Sequence, residues 1–344
     1  MATAATSLYN AGTDPVIQGA LTRPNQINQA GDVMALAIAE YTGTVEGTLE
    51  RKSVLADWIP KRRVTGTNTL RNHAIGETQL GVVEPGVAPR ATGVDFSKAE
   101  LVIDTLIYAR NVTPLLDTFQ TNFDARAEIG REHGKKIAKF NDQAFFIQAA
   151  KAALLTESRY SVSGDAPLGH TGGTTETFAN AADAEDPAKV YAMLSRLETA
   201  MAEKDVDWVD EDFIIALRPK VFGALRDSER IVNGTYVTAD GTTKEGMVFK
   251  AFGTPVVRTN NIPSGVVANH FLSNAQNSMA YDGDFSRIAG LVISPKALLA
   301  GETIPLETDV WYNKDYKSWY IDAHMSFGVA PNRAEFAGAL LLPA

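Results

Sequence analysis

Five histidines, His73, His133, His170, His270 and His324, stand far apart in the chain. Metal-binding histidines often betray themselves by a second ligand close in sequence. No two of the five form a tight ligand pair. His133 falls on the apolar side of a helical stripe, so a buried, hydrogen-bonded histidine is expected there. Carboxylates cluster at 183–186 and 207–212, a pattern that could serve acid/base or magnesium chemistry. In a chain this acidic they read as solvated helix ends. The Gly-rich run GHTGG at 169–173 lacks the lysine and the following helix start of a phosphate loop. No HExxH, GxGxxG or GxSxG motif occurs. The chain has no cysteine, which removes disulfides, thiolate metal sites and cysteine nucleophiles. The NGT at Asn233 reads as a turn. No catalytic residue, metal or cofactor is expected, and the chain reads as a non-enzyme.

Charge narrows the partners. Forty-one acidic residues against 32 basic ones give a net charge of -9. Wrapping a polyanion needs many phosphate-neutralising cations, so tight, sequence-specific nucleic-acid binding is not expected. The one compact basic run is Lys61-Arg62-Arg63, without interleaved aromatics. Such a run suits carboxylates on a neighbouring molecule. The opening MATAATSLYNAG has no basic segment followed by an apolar core, so no signal peptide is expected. No apolar run is long enough to cross a bilayer as a helix, so a soluble chain is expected.

The elements that must carry any function follow from periodicity. Met1 to Ala30 is small and polar and reads as an arm. Asp32 to Leu49 has apolar residues at helical spacing. Ser53 to Gly93 is rich in Thr, Gly and Val and poor in core-sized residues. It reads as an extended two-stranded ribbon with a Gly-rich tip. Val94 to Val112 alternates through Leu101, Ile103, Leu106 and Tyr108 and reads as strand, redirected at Pro114. From Asp124 to about Leu155, the residues Ile129, His133, Ile137, Phe140, Ala144 and Ile147 trace one helical stripe. That helix would be roughly 48 Å long. A second helix is expected over Ala188 to Lys204, with Val190, Leu194, Leu197 and Met201 inward. Pro187 would sit in its first turn. Strand Phe213 to Leu217, a short helix after Pro219 and a polar hairpin or loop at Gly234 to Gly246 follow. More sheet is expected at Met247 to Asn260, His270 to Ala280, Gly290 to Ile293, Asp309 to Phe327 and the C-terminal AEFAGALLLPA. The class is α+β, without βαβ repetition.

This layout suits a lone molecule poorly. A ribbon of about forty residues exposes strand edges and cannot be stable alone. It makes sense if each copy docks its extensions on neighbours, in contacts that symmetry repeats.

Three stretches carry a resemblance: LVIDTLIYARNVTPLLDTFQTNFDARAEIGREHGKKIAKFNDQAFF, then KAFGTPVVRTNNIP, then VAPNRAEFAGALLLP. In that order, behind an arm and a ribbon, they resemble the major capsid proteins of tailed bacteriophages. The similarity is greater to those of short-tailed podoviruses. It covers most of the chain and implies an HK97-like phage capsid fold. Residues 1–52 would be the N-terminal arm and 53–93 the extended E-loop, laid over an adjacent subunit. Residues 94–208 would form the peripheral domain with its spine helix at 124–155, and 209–305 the axial domain. Residues 306–344 would return strands to both domains. The resemblance implies pentamers and hexamers in an icosahedral shell around packaged double-stranded DNA. It also implies a scaffolding protein, a portal at one vertex and a decoration protein as partners. The place of action would be the virion, assembled in the host cytoplasm. Within that frame Lys61, Arg62, Arg63 and Arg71 are the expected intersubunit cations, with Glu77 and Glu84 as ribbon anions. Two rival readings share the pattern: an encapsulin-like nanocompartment subunit, and an α+β enzyme.

Overall fold

The computed structural model of the chain describes residues 53–76, 80–83, 85–86, 88, 96–115, 125–160, 170–228, 236–237, 243–244 and 250–343. The expected arm and the helical pattern at 32–49 lie outside them, as do Asp124, Glu77 and Glu84.

The early strands are β1 (Lys61–Arg63), β2 (Thr69–Ile75), β3 (Phe96–Val102) and β4 (Ile107–Pro114). Helix α1 spans Ala125–Leu154. Then come β5 (Thr174–Thr177), α2 (Pro187–Ala202), β6 (Ile214–Leu217) and α3 (Pro219–Arg226). Short strands follow: β7 (Tyr236–Val237), β8 (Thr243–Lys244), β9 (Lys250–Ala251), β10 (Thr254–Arg258), β11 (Val266–Val267) and β12 (Gly283–Asp284). The chain closes with β13 (Ile288–Ile293), β14 (Leu298–Asn313), β15 (Ser318–Pro331) and β16 (Ala337–Leu341).

Two compact units divide the chain. One holds Met1–Arg51, Thr105–Lys139 and Ile304–Ser326; the other holds Lys52–Asp104, Phe140–Thr303 and Phe327–Ala344.

The larger unit is built on a six-stranded sheet in the order β5-β16-β13-β6-β10-β9. Its central strands β13 (IAGLVI) and β16 (AGALL) are buried along their whole length, as runs covered on both faces must be. Helix α2 starts where its caps dictate. The Asp186 carboxylate accepts from the backbone N–H of Ala188 and Lys189, and Pro187 occupies the first turn. Its stripe of Val190, Leu194, Leu197 and Met201 is buried. Gly338 of β16 lets that stripe close in: a Cβ there would come within 3.0 Å of Met201 Sδ. Within the stretch expected as a polar hairpin or loop, β7 pairs antiparallel with β8.

The same unit contains α1 from Phe140 onward, and here the single apolar stripe is too narrow a description. From Asn141 to Ala153 every side chain is buried or half-buried, so this half is surrounded. At its start sits a carboxylate, Asp142. Its Oδ1 accepts N–H bonds from Val54 (3.0 Å), Leu55 (2.8 Å) and Ala56 (3.1 Å). Its Oδ2 accepts from Asn261 Nδ2 at 2.5 Å. A buried carboxylate is tolerable only when so satisfied.

That anchorage corrects the ribbon's expected limits. Leu55, Ile59 and Val64 are core residues, and β1 pairs in parallel with Ala300–Glu302 of β14. The free ribbon therefore begins after Val64. Its return strand is Phe96–Val102, beyond position 93, paired antiparallel with β2 from Thr69↔Val102 to Ile75↔Phe96. Two more expectations change. The 94–112 alternation is broken at 103–106, which leaves Leu106 and Tyr108 exposed. Residues 270–280 form turns rather than sheet, because the Asp282 carboxylate gathers the N–H groups of Asn269 and His270 and the Ser273 hydroxyl.

In the smaller unit β15 runs antiparallel to β4, from Ser318↔Pro114 to Met325↔Ile107. Arg110 makes a forked pair across these strands with Asp322, at 3.3 Å and 3.0 Å. Trp311 stacks on Tyr320 with ring centres 5.4 Å apart. The α1 portion here carries half-buried Ile129, buried Ile137 and buried His133, whose Nε2 lies 2.7 Å from Asn111 Oδ1. Burial holds the His133 imidazole below its ordinary pKa, against the pull of Asp322.

Candidate functional site

The two faces of the β2–β3 ribbon have different fates along a visible period of two. On one face stand the cross-strand pairs Leu70↔Leu101, Asn72↔Ala99 and Ala74↔Ser97, all buried or half-buried. On the other stand Arg71↔Glu100, His73↔Lys98 and Ile75↔Phe96. This outer face begins polar and ends apolar.

The apolar root explains how the ribbon leaves the core. Leu101 and Ile103 pack with Val64, Leu299 and Ala330, and Leu70 joins from β2. Gly301 and Gly328 make room for this: a Cβ at either would press on Ile103, at 2.9 Å and 3.1 Å. Along the outer face Glu100 Oε1 receives Arg71 Nε at 2.9 Å and Lys98 Nζ at 3.0 Å. The Lys98 hydrogen bond and the nearby Arg71 charge hold the Glu100 carboxyl below its usual range. Beyond this ladder the surface turns apolar and bare. Ile75 is 57% exposed and Phe96 69%, while Leu80 and Val82 in the tip reach 98% and 96%. Most exposed apolar residues on proteins are scattered singly; here Ile75, Leu80, Val82, Val83 and Phe96 stand bare on one element.

The expected site residues sort by this geometry. Arg71 lies on the ribbon's outer face with Glu100 and Lys98. The run 61–63 lies on β1, at the sheet and not on the ribbon. Lys61 is turned inward, with Nζ 5.5 Å from the centre of the Phe145 ring. Burial lowers its pKa, although Glu302, Asp57 and Asp142 oppose this. Arg62 and Arg63 are exposed. Of the helical stripe, Ile137 and Ile147 are buried and Phe140 stacks on His270 at 5.0 Å. The Ile75–Phe96 pair, Glu100 and Asp142 escaped the sequence reading. Only the first had a local signal, an apolar residue on each side of the Gly-rich tip.

The stretches tested for chemistry have structural employment. Gly172 and Gly173 are pressed on the end of α1: a Cβ at either would fall 2.3–2.4 Å from the carbonyls of Thr156 and Ala153. Lys204 Nζ donates to the carbonyls of Gly172 (3.1 Å) and Gly173 (2.9 Å) and to Thr174 Oγ1 (2.9 Å). Asp183 accepts from Asn180 N–H and pairs with Lys189 at 2.7 Å. Glu185 pairs with Lys220 at 3.0 Å. Among the described residues no group of three or more His, Asp or Glu could hold a metal ion, and no helix is long and apolar enough to cross a membrane.

No family model and no curated protein matches the chain. Solved structures do. The capsid structure of the cyanophage P-SCSP1u superposes with a TM-score of 0.74 at 18% identity, covering 94% of this chain and 99% of that one. The mature capsid of bacteriophage PhiM1 gives 0.71 at 22% identity, covering 94% and 96%. The capsid of a native GTA particle gives 0.53 at 12% identity, covering 92% and 100%. The chain has the α+β fold of these capsid chains.

Proposed function

We propose that this chain is a shell-building subunit: the major capsid protein of a tailed bacteriophage, of the short-tailed type. The observation that carries the reading is the bare apolar end of the ribbon. Ile75, Phe96, Leu80, Val82 and Val83 protrude from a unit whose own core is closed. Apolar area removed from water is worth about 25 cal/mol per Å². A second copy laid against this end would recover that free energy, and symmetry would repeat the contact around a ring. The extended length of the resemblance to capsid chains supports the same reading.

In this reading the ribbon is the E-loop, α1 is the spine helix, and the six-stranded sheet with its loops forms most of the axial domain. Subunits form pentamers and hexamers of an icosahedral shell, with a scaffolding protein during assembly, a portal at one vertex and a decoration protein outside. Packaged double-stranded DNA lies within, and the chain's net charge of -9 leaves it held by confinement rather than by sequence-specific contacts. Arg62, Arg63 and Arg71 are the intersubunit cations. Electron microscopy of the purified chain, with and without scaffold, tests the proposal. Closed shells of uniform size support it. A small discrete oligomer under all conditions rejects it.

A further inference from the structure

The ribbon is held to its own subunit by a compact polar cluster as well as by its apolar root. Asn72, on the inner face of β2, donates from Nδ2 to Tyr160 Oη at 2.8 Å and to Asn332 Oδ1 at 3.0 Å. The Tyr160 hydroxyl donates to the same Asn332 oxygen. Asn332 is itself fixed from both sides: its Nδ2 donates to the Lys296 carbonyl at 3.2 Å and its N–H to the Ala297 carbonyl at 2.8 Å. The facing strand has its own tie. The Arg159 guanidinium donates to the Glu100 carbonyl and, at 2.9 Å, to the Pro331 carbonyl. Tyr160 is fully buried and Asn332 nearly so.

The cluster is costly to build for stability alone. Burial pushes the Tyr160 phenol's pKa up and the Arg159 guanidinium's down, as expected of polar groups taken from water. Four polar side chains gathered at one crossing specify a geometry more sharply than an apolar contact does, since hydrogen bonds are directional and apolar contacts slide. What they specify is the direction of the ribbon. Beyond Asn72 the outer face of the strand pair is bare at Ile75 and Phe96, and a further tie is the Ile75 carbonyl, 3.4 Å from His170 Nε2.

We infer that Asn72, Tyr160, Asn332 and Arg159 are positioning residues that set the ribbon's angle, and through it the angle between neighbouring copies. The inference rests on the shell-building reading. Its physical content is leverage. Ile75 lies three residues past Asn72, about 10 Å along a strand. A tilt of about 10° at the cluster shifts the Ile75–Phe96 pair by about 2 Å, enough to miss a packed contact. A head-to-tail contact closes a ring only when its rotation is fixed; otherwise it runs on into open or irregular assemblies. Loosening the cluster should therefore corrupt curvature before it weakens the fold.

The test compares wild type, Asn72→Ala, Tyr160→Phe and Arg159→Lys as full chains. Melting of the unassembled chain reports the fold; particle diameters in electron micrographs report the angle. Asn72→Ala is expected to melt within a few degrees of wild type yet to give a diameter spread at least twice as broad, with open or spiral forms. Arg159→Lys, which keeps the charge but not the fork, should fall between. If Asn72→Ala does not fold, Tyr160→Phe decides alone, since it removes one oxygen and leaves the Asn72–Asn332 bond. Shells of wild-type uniformity from whichever variant decides would overturn the inference. Failure of wild type itself to form shells would instead overturn the shell-building reading.

Discussion

The six-stranded sheet and the β2–β3 ribbon meet opposite ends. In β13 and β16 every side chain is covered by the same chain: α2 lies against β16, and Gly338 admits Leu197 and Met201. In the ribbon one face is covered and the other is left to solvent, although Ile75, Phe96, Leu80 and Val82 are as apolar as anything in the core. The sheet satisfies itself. The ribbon is tied to its own unit along one face only, through its apolar root and the contacts of Asn72 and the Ile75 carbonyl, and the side chains of Ile75 and Phe96 stay bare. A fold can thus be complete as a folding unit and incomplete as a surface.

The comparison breaks most visibly if core and ribbon respond alike to mutation. Phe145→Ala should cost the unassembled chain about 3–5 kcal/mol in urea denaturation, because it empties a fully buried site. Ile75→Ser with Phe96→Ser should leave that denaturation curve within about 0.5 kcal/mol of wild type and abolish shells in micrographs. Equal destabilisation by both would erase the distinction.

A smaller contrast lies within the run 61–63. Lys61→Ala uncovers Phe145 and should lower the melting temperature measurably. Arg62→Ala with Arg63→Ala should lower shell yield, most at low salt, with melting unchanged.

Acid gives a third handle, on the closed side. His270 is stacked between Phe140 and Tyr281, at 5.0 Å and 5.2 Å. Burial depresses its pKa, against the Asp282 charge. The unfolded chain then binds the proton more readily than the folded one. Stability is fully present above the ordinary imidazole value of about 6.5 and declines as pH falls from there toward the depressed folded value. His133, also depressed by burial, adds to the same slope. Denaturation at stepped pH should show the decline, and His270→Gln should flatten part of it. The smallest effect expected is that of Arg71→Ala: an exposed pair with Glu100, whose loss should not move the melting temperature.

Much of the self-satisfied part was legible from residue types. Helix α2 is bounded by Asp186 and Pro187 and striped at 190, 194, 197 and 201. Helix α1 spans Ala125–Leu154, against an expected Asp124 to about Leu155. Both are local signals. The ribbon's limits were not legible, because they depend on partners far off in sequence. Leu55 belongs to the core through Asp142, 87 positions away. Asn72 reads as an ordinary polar strand residue until Asn332, 260 positions on, is placed beside it. The expected strand at 270–280 failed for a related reason: Asp282 draws that stretch into turns by hydrogen bonds, which override its apolar residues.

The most direct test of the shell-building reading is amide hydrogen exchange at residues 80–83, in the unassembled chain and in the assembled particle. Rapid exchange in the free chain and strong protection after assembly are predicted. The same protection in both states would contradict the account.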